Sequence, residues 1–183
     1  MQACPRSLAS IAYLGLLGPV AAAELPLADV SHIHGVGFDA ANPGSILLAT
    51  HYGVYRARPD RMAETVSEDA DDYMGFSPDP ANSGRLLASG HPGQGGNLGV
   101  IASTDGGSTW TKIAEGAEGP VDFHAMSFST VDPKVVYGLY GGIQVSRDAG
   151  ATWNMVGPGP EDVIDLAGSA TDTDTVMPAP RRV

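Results

Sequence analysis

The eight residues "STDGGSTW" (Ser103–Trp110) return forty-three positions later as "SRDAGATW" (Ser146–Trp153). Both copies hold Ser, Asp, Gly, Thr and Trp at the same places. Such a spacing predicts a turn that supplies its own hydrogen bonds: the aspartate accepts from turn amides, the glycine provides a positive φ, and the tryptophan covers an apolar face. Two copies at one offset mean a structural repeat.

The repeat extends beyond the boxes. "NPGSILLATH" (Asn42–His51) matches "NSGRLLASGH" (Asn82–His91) forty residues on. "DPKVVYGLYG" (Asp132–Gly141) takes the same slot after a further fifty, and "DTDTVM" (Asp172–Met177) after a further forty. The longer step is explained by the insertion "PGQGGNL" after His91. Each unit opens on a short apolar run ("HGVGF", "YMGFS", "HAMSF", "VIDLA"), followed by a turn rich in Pro, Asp and Asn and then an aliphatic run. The second and third units continue with a third run, the Asp-containing turn, and a fourth run behind Trp110 or Trp153. Four short strands per unit of about forty residues is the pattern of a β-propeller blade. The predicted fold is an all-β propeller of four-stranded antiparallel blades, about three and a half of them. The blades are placed at about 31–70, 71–120 and 121–160, with a partial one at 161–176. Residues 177–183 are expected to be an irregular tail, because Pro178 and Pro180 lack the amide that a strand ladder uses.

The two boxes, together with "HIHGVGFD", "ATHYGVY", "SGHPG" and "DFHAMSF", resemble the exported bacterial Asp-box (BNR-repeat) β-propellers of the sialidase-like kind, over roughly 31–176. More loosely, the chain is similar to the propellers of sortilin-type receptors and of photosystem assembly factors. The resemblance implies two functions: a binding or assembly module, or a glycoside hydrolase of the sialidase-like kind or its remnant. Sialidases use a tyrosine nucleophile, a carboxylate partner and arginines that grip the substrate carboxylate, with an Arg-Ile-Pro motif before the first box. No Arg-Ile-Pro occurs here. The arginines beyond the leader are Arg56, Arg58, Arg61, Arg85, Arg147, Arg181 and Arg182. None of them opens a first strand, so sialidase activity is not expected and a glycosyl hydrolase-like label would rest on fold alone.

Closed propellers have four to eight blades. Three and a half blades therefore suggest a shortened product of a longer gene, or a ring completed by a second copy through self-association of the open edges.

The leader "MQACPRSLASIAYLGLLGPVAAAELP" has Arg6, an apolar run from Leu8 to Leu17, and small residues Ala21, Ala22 and Ala23, the three-part layout of a signal peptide over 1–23. It implies a periplasmic or secreted protein. Cleavage after Ala23 removes Cys4, the one cysteine, and with it any disulfide or thiolate metal site. It also removes Arg6, taking the formal net charge from −11 to −12. A chain this acidic is a poor partner for nucleic acid or an anionic membrane, and no later run is long and apolar enough to span a bilayer. The partner is expected to be a protein or a small ligand.

Counting hairpins places the histidines. Turns about Asn42–Pro43, Asn82–Ser83 and Asp132–Pro133 set His34 opposite His51, Met74 opposite His91, and His124 opposite Gly141. With His32 two residues before His34, all five histidines of the chain fall at one end of their blades. First strands line a propeller's channel, so this end is one of its mouths. His32, His34, His51, His91 and His124 are the candidate ligands of a transition metal, Zn or Cu, since imidazole suits both. Asp72, Asp122 and Asp162 hold the register position of His32 in later blades and are candidate carboxylate ligands or partners of the imidazoles. Histidines and aspartates at strand ends also serve by bonding backbone groups and packing neighbouring blades, and that reading stands beside the metal one. "GHPGQGGNLG" lacks the Gly-Lys-Ser/Thr ending of a phosphate loop and is expected to be an inter-strand loop. "SEDADD" (Ser67–Asp72) is expected to be a solvated turn. No nucleophile-elbow pattern points to a catalytic triad.

Overall fold

Among the described residues, short aliphatic and β-branched runs broken by Asp, Asn, Pro and Gly turns form fifteen strands in four antiparallel sheets. The computed structural model describes residues 22–160 and 162–181. The signal-peptide reading of 1–23 lies outside the described residues except for Ala22 and Ala23.

The first sheet contains β1 (Glu24–Pro26), β2 (Ile33–Phe38), β3 (Ile46–Thr50), β4 (Gly53–Ala57) and β5 (Met62–Thr65), in the order β1-β5-β4-β3-β2. A 3₁₀ turn, Leu27–Asp29, leads from β1 to β2. The second sheet is β6 (Asp72–Pro78), β7 (Leu86–His91), β8 (Val100–Ser103) and β9 (Thr111–Ala114). The third is β10 (Ala125–Phe128), β11 (Val136–Leu139), β12 (Ile143–Ser146) and β13 (Asn154–Gly157). The fourth is the hairpin β14 (Val163–Gly168) and β15 (Val176–Pro180). The opening strands β2, β6, β10 and β14 pack side by side in succession, so each sheet is a blade and its first strand is the innermost. This is the expected architecture of about three and a half blades.

Glycine lets the inner strands come this close. A Cβ on Gly35 would lie 2.6 Å from Cβ of Phe76, and one on Gly75 would lie 2.5 Å from the Phe123 carbonyl. Both contacts reach across to the next blade. Three apolar cores fill the gaps between blades. Leu47, Ala49 and Val54 meet Tyr73, Phe76 and Leu86 in the first. Leu87 and Val100 meet Phe123, Met126, Phe128 and Trp153 in the second. Ala125, Tyr137 and Val145 meet Leu166 in the third. Each fully buried aromatic or Leu side chain contributes about 1.5–3 kcal/mol, so the blades are held mainly by these seams.

Both boxes fold as their spacing predicts. Ser103 Oγ donates to Asp105 Oδ1 at 2.7 Å and accepts from Gly107 N at 2.8 Å. Thr109 donates its amide and hydroxyl to Asp105 at 3.0 and 2.6 Å, and Trp110 Nε1 donates to the Gly107 carbonyl at 3.0 Å. Ser146, Asp148, Gly150, Thr152 and Trp153 repeat all five bonds at 2.6–2.9 Å. Gly107 and Gly150 sit at φ 97° and 95°, which only glycine adopts freely. Trp110 packs on Tyr73 with ring centroids 5.1 Å apart, and Trp153 on Phe123 at 4.7 Å.

Three features depart from the sequence expectation. First, blade one has a fifth strand, because β1 pairs with β5 through Glu24↔Glu64, Leu25↔Ala63 and Pro26↔Met62. Second, the fourth blade does not dissolve at Val176: β15 runs on through Pro178↔Leu166 and Pro180↔Val163. Residues 177–180, expected to be an irregular tail, are strand. The Arg181 amide donates back to the Asp162 carbonyl, which sets the alternation of the strand. By that alternation the nitrogens of Pro178 and Pro180 point away from β14, where no bond to it is lost. Third, the hairpins are off the expected register. Ile33 pairs with Thr50 and Gly35 with Ala49, so His34 is the extra residue of a bulge instead of facing His51. Asp72, not Met74, faces His91, with a second bulge between Tyr73 and Phe76. Ala125 pairs with Leu139, so His124 does not face Gly141. Bulges add twist that counting along a chain cannot show.

Candidate functional site

The histidines stand where inner strands begin and second strands end, and the blade seam brings His34, His51 and His91 to carboxylates of the following blade. His51, just past β3, places Nδ1 2.6 Å from Asp72 Oδ2 at the start of β6. His34, on its bulge, places Nε2 3.9 Å from Asp72 Oδ1. One ligand atom from each of His34, His51 and Asp72 lies within 4.8 Å of the other two. His32 completes the group from outside, its ring 4.8 Å from that of His51, while the His34 ring lies 4.4 Å away. His32 holds φ 53°, a left-handed backbone costly for a non-glycine residue and often found where a side chain must be aimed.

The next seam repeats the arrangement with different residues. Asp122, just before β10, lies between two imidazoles. His91 Nε2, at the end of β7, is 2.9 Å from Asp122 Oδ2, and His124 Nε2 is 2.8 Å from the same oxygen. Asp122 is 2% exposed. Its Oδ1 is buried without a hydrogen-bond partner, and so is Oδ1 of Asp72. The five histidines therefore do not gather on one centre. His34 and His51 meet at Asp72, with His32 beside His51, and His91 and His124 meet at Asp122.

The two groups differ electrostatically. Burial lowers the His34 pKa below the ordinary imidazole value, and the neighbouring His51 lowers it further against the pull of Asp72. Neutral imidazole is the ligand form. His91 shifts upward, chiefly because its Nδ1 is bonded to the Gly96 carbonyl at 2.8 Å, with Asp122 adding to the effect against burial.

Other charged groups have structural partners. In "SEDADD", the Tyr73 hydroxyl donates to Asp69 at 2.6 Å and the Gly93 amide to Asp71 at 3.0 Å, so this acidic run braces its neighbours. Burial and Asp69 push the Tyr73 hydroxyl well above its usual range. Arg56, Arg58 and Arg85 are paired with Asp39, Glu64, Glu24, Asp60 and Asp79, and Arg147 with Asp174. Asp162, the third register aspartate, lines a cavity of about 530 Å³ with His124, Tyr140 and Arg181. Arg181 falls forty residues after Gly141, in the slot that ends a second strand, which the sequence reading passed over. The loop after His91 was read only as a connection, yet its Gly96 carbonyl fixes the His91 ring. A carbonyl five residues away leaves no signal in side-chain identity.

No protein-family model matches the sequence, and no curated protein does. Solved structures similar in fold include three GH74 enzymes. An ancestral GH74 enzyme shares 20% identity at TM-score 0.53, over 71% of this chain and 19% of that one. The GH74 xyloglucanase from Xanthomonas campestris shares 18% at TM-score 0.54, over 81% and 27%. The GH74 enzyme of Niastella koreensis shares 16% at TM-score 0.51, over 74% and 24%. The chain thus spans about a fifth to a quarter of the length of these structures. At such identities the likeness is one of fold, and the fold is the β-propeller.

Proposed function

We propose that the chain is an exported Asp-box propeller acting as a binding or assembly module, with a transition metal, Zn or Cu, held at the channel mouth by His34, His51 and Asp72. The observation that carries this reading is the approach of three donor atoms to within 4.8 Å of one another. Two imidazoles and a carboxylate leave a fourth position of a tetrahedral ion open to a partner's side chain or a small ligand. His32, beside His51, is the nearest further imidazole. The orphaned Oδ1 of Asp72 supports the reading, because a buried carboxylate oxygen without a donor is costly unless a cation meets it. Glycoside hydrolysis draws less support: it asks for two carboxyl groups able to act on a sugar, whereas Asp72 and Asp122 are engaged with histidines.

The test is elemental analysis of the purified protein, carrying no histidine tag, after equilibration with Zn²⁺ or Cu²⁺ and dialysis. Retained metal that falls on His51→Ala and on His34→Ala supports the reading. Retention unchanged by both substitutions, or no retention in the parent chain, overturns it.

A further inference from the structure

We infer that the chain pairs with a second copy, in which the open face of blade one of each protomer seats on the open face of the fourth blade of the other. The inference is independent of the metal reading.

The repeat register carries the argument. Each blade turns one face to the blade before it and the other to the blade after it, and side chains along a strand alternate between the two. Phe76, Met126 and Leu166 hold one place in three inner strands, fifty and forty residues apart. They are 3–6% exposed, because each packs on the blade before. Val36 holds that place in blade one, forty residues before Phe76, and is 60% exposed. Two residues on, Phe38 is 86% exposed where its counterpart Phe128 is 4%. Val36 pairs with Leu48 and Phe38 with Ile46, so the two lie on one face, and among the described residues no blade covers it. An apolar surface that the other blades bury is a docking surface.

The complementary face is open at the other end of the arc. Leu47, Leu87 and Tyr137 share a second-strand position, and each is 2% exposed or less under the blade that follows. Met177 comes forty residues after Tyr137 and is 54% exposed. Leu166 faces blade three, so Asp165 and Ala167, with their partners Ala179 and Met177, face away from it. Three seams thus show what covers a face like that of Val36, and Met177 is the uncovered residue at the matching position. Within one chain the two faces stay apart, since β2 does not pack on β14 as successive inner strands do. Asp165 stands where Gly35, Gly75 and Ala125 stand in earlier blades, and the Leu166 amide donates to its carboxylate at 2.8 Å. One charge in an apolar seam weakens the pairing and leaves it reversible. Contacts between unlike faces form a ring where the rotation closes, and two copies of about three and a half blades give about seven, within the range of closed propellers.

The test is the mass of the full chain in solution, by sedimentation over a range of concentrations with a chelator present. The expected result is a pair in the parent. Phe38→Asp and Met177→Asp, both at exposed positions, are each expected to raise the dissociation constant by at least about tenfold, as loss of an apolar anchor does. Their equimolar mixture is expected to pair more tightly than either variant alone, because one intact seam remains between them. Val131→Asp, in the turn between β10 and β11 and also exposed, is the control and is expected to pair like the parent. Thermal melts show that each variant is folded. A monomeric parent overturns the inference, as do open-ended assemblies that grow with concentration. A pair weakened by Phe38→Asp and not by Met177→Asp overturns it too, since like faces would then be meeting. So does a mixture that pairs no better than its components, or a pair that Val131→Asp weakens equally.

Discussion

The rim turns and the channel mouth are built from the same ingredients, a serine or histidine set around an aspartate at a fixed register, yet they end differently. In the rim each aspartate is saturated: Asp148 takes a serine hydroxyl, a threonine hydroxyl and a threonine amide. At the mouth Asp72 and Asp122 each keep a buried oxygen with no donor. The difference separates residues that hold the fold from residues that still need something. A repeat that closes its own hydrogen bonds is scaffold; the open acceptor at Asp72 is what the proposed metal would meet.

That contrast can be broken at either end. The largest effect belongs to the rim: Trp153→Ala removes the ring that covers Phe123 and is expected to cost about 3–5 kcal/mol in denaturant unfolding, with retention of the metal proposed at His34, His51 and Asp72 unchanged. Loss of that metal in the folded variant would show that rim and mouth are one unit. Next, Ser146→Ala leaves the buried Gly150 amide without its acceptor, at about 1–3 kcal/mol. Smaller still, Asp72→Asn in metal-free protein is expected to shift stability by under about 1 kcal/mol, or to raise it, while abolishing retention of the metal proposed at His34, His51 and Asp72. A large loss of metal-free stability would make this carboxylate scaffold after all. The smallest effect is in pH. Thr152 holds the Asp148 carboxyl below its ordinary range, so its stabilisation is present above the unfolded carboxylate value and is lost as pH falls through the folded one. The stability gap between the parent and Asp148→Asn should therefore close in acid, which melts across pH would follow.

Much of the fold could be read from two boxes and an offset, because turn chemistry is local and strand runs repeat. What escaped was decided between segments. "ELP" (Glu24–Pro26) has no alternation of its own and becomes a strand only because β5 offers an edge. The bulges at His34 and at Met74–Gly75 answer to sheet twist. The site was legible to the same degree: hairpin counting put the five histidines at one mouth, although its register was wrong by a residue or two. The pairing of His34 and His51 with Asp72, and of His91 with Asp122, depends on how one blade stacks on the next, and no spacing within a blade encodes that.

The two prolines of β15 carry a last consequence. Among the described residues no strand pairs with its outer side, and there the nitrogens of Pro178 and Pro180 offer nothing to donate. An incoming strand would find carbonyls without alternating amides, a template with its teeth missing. Ordered stacking of the kind that seeds fibrils is discouraged on this flank, and any copy that meets it must do so through side chains, in an association that can come apart again.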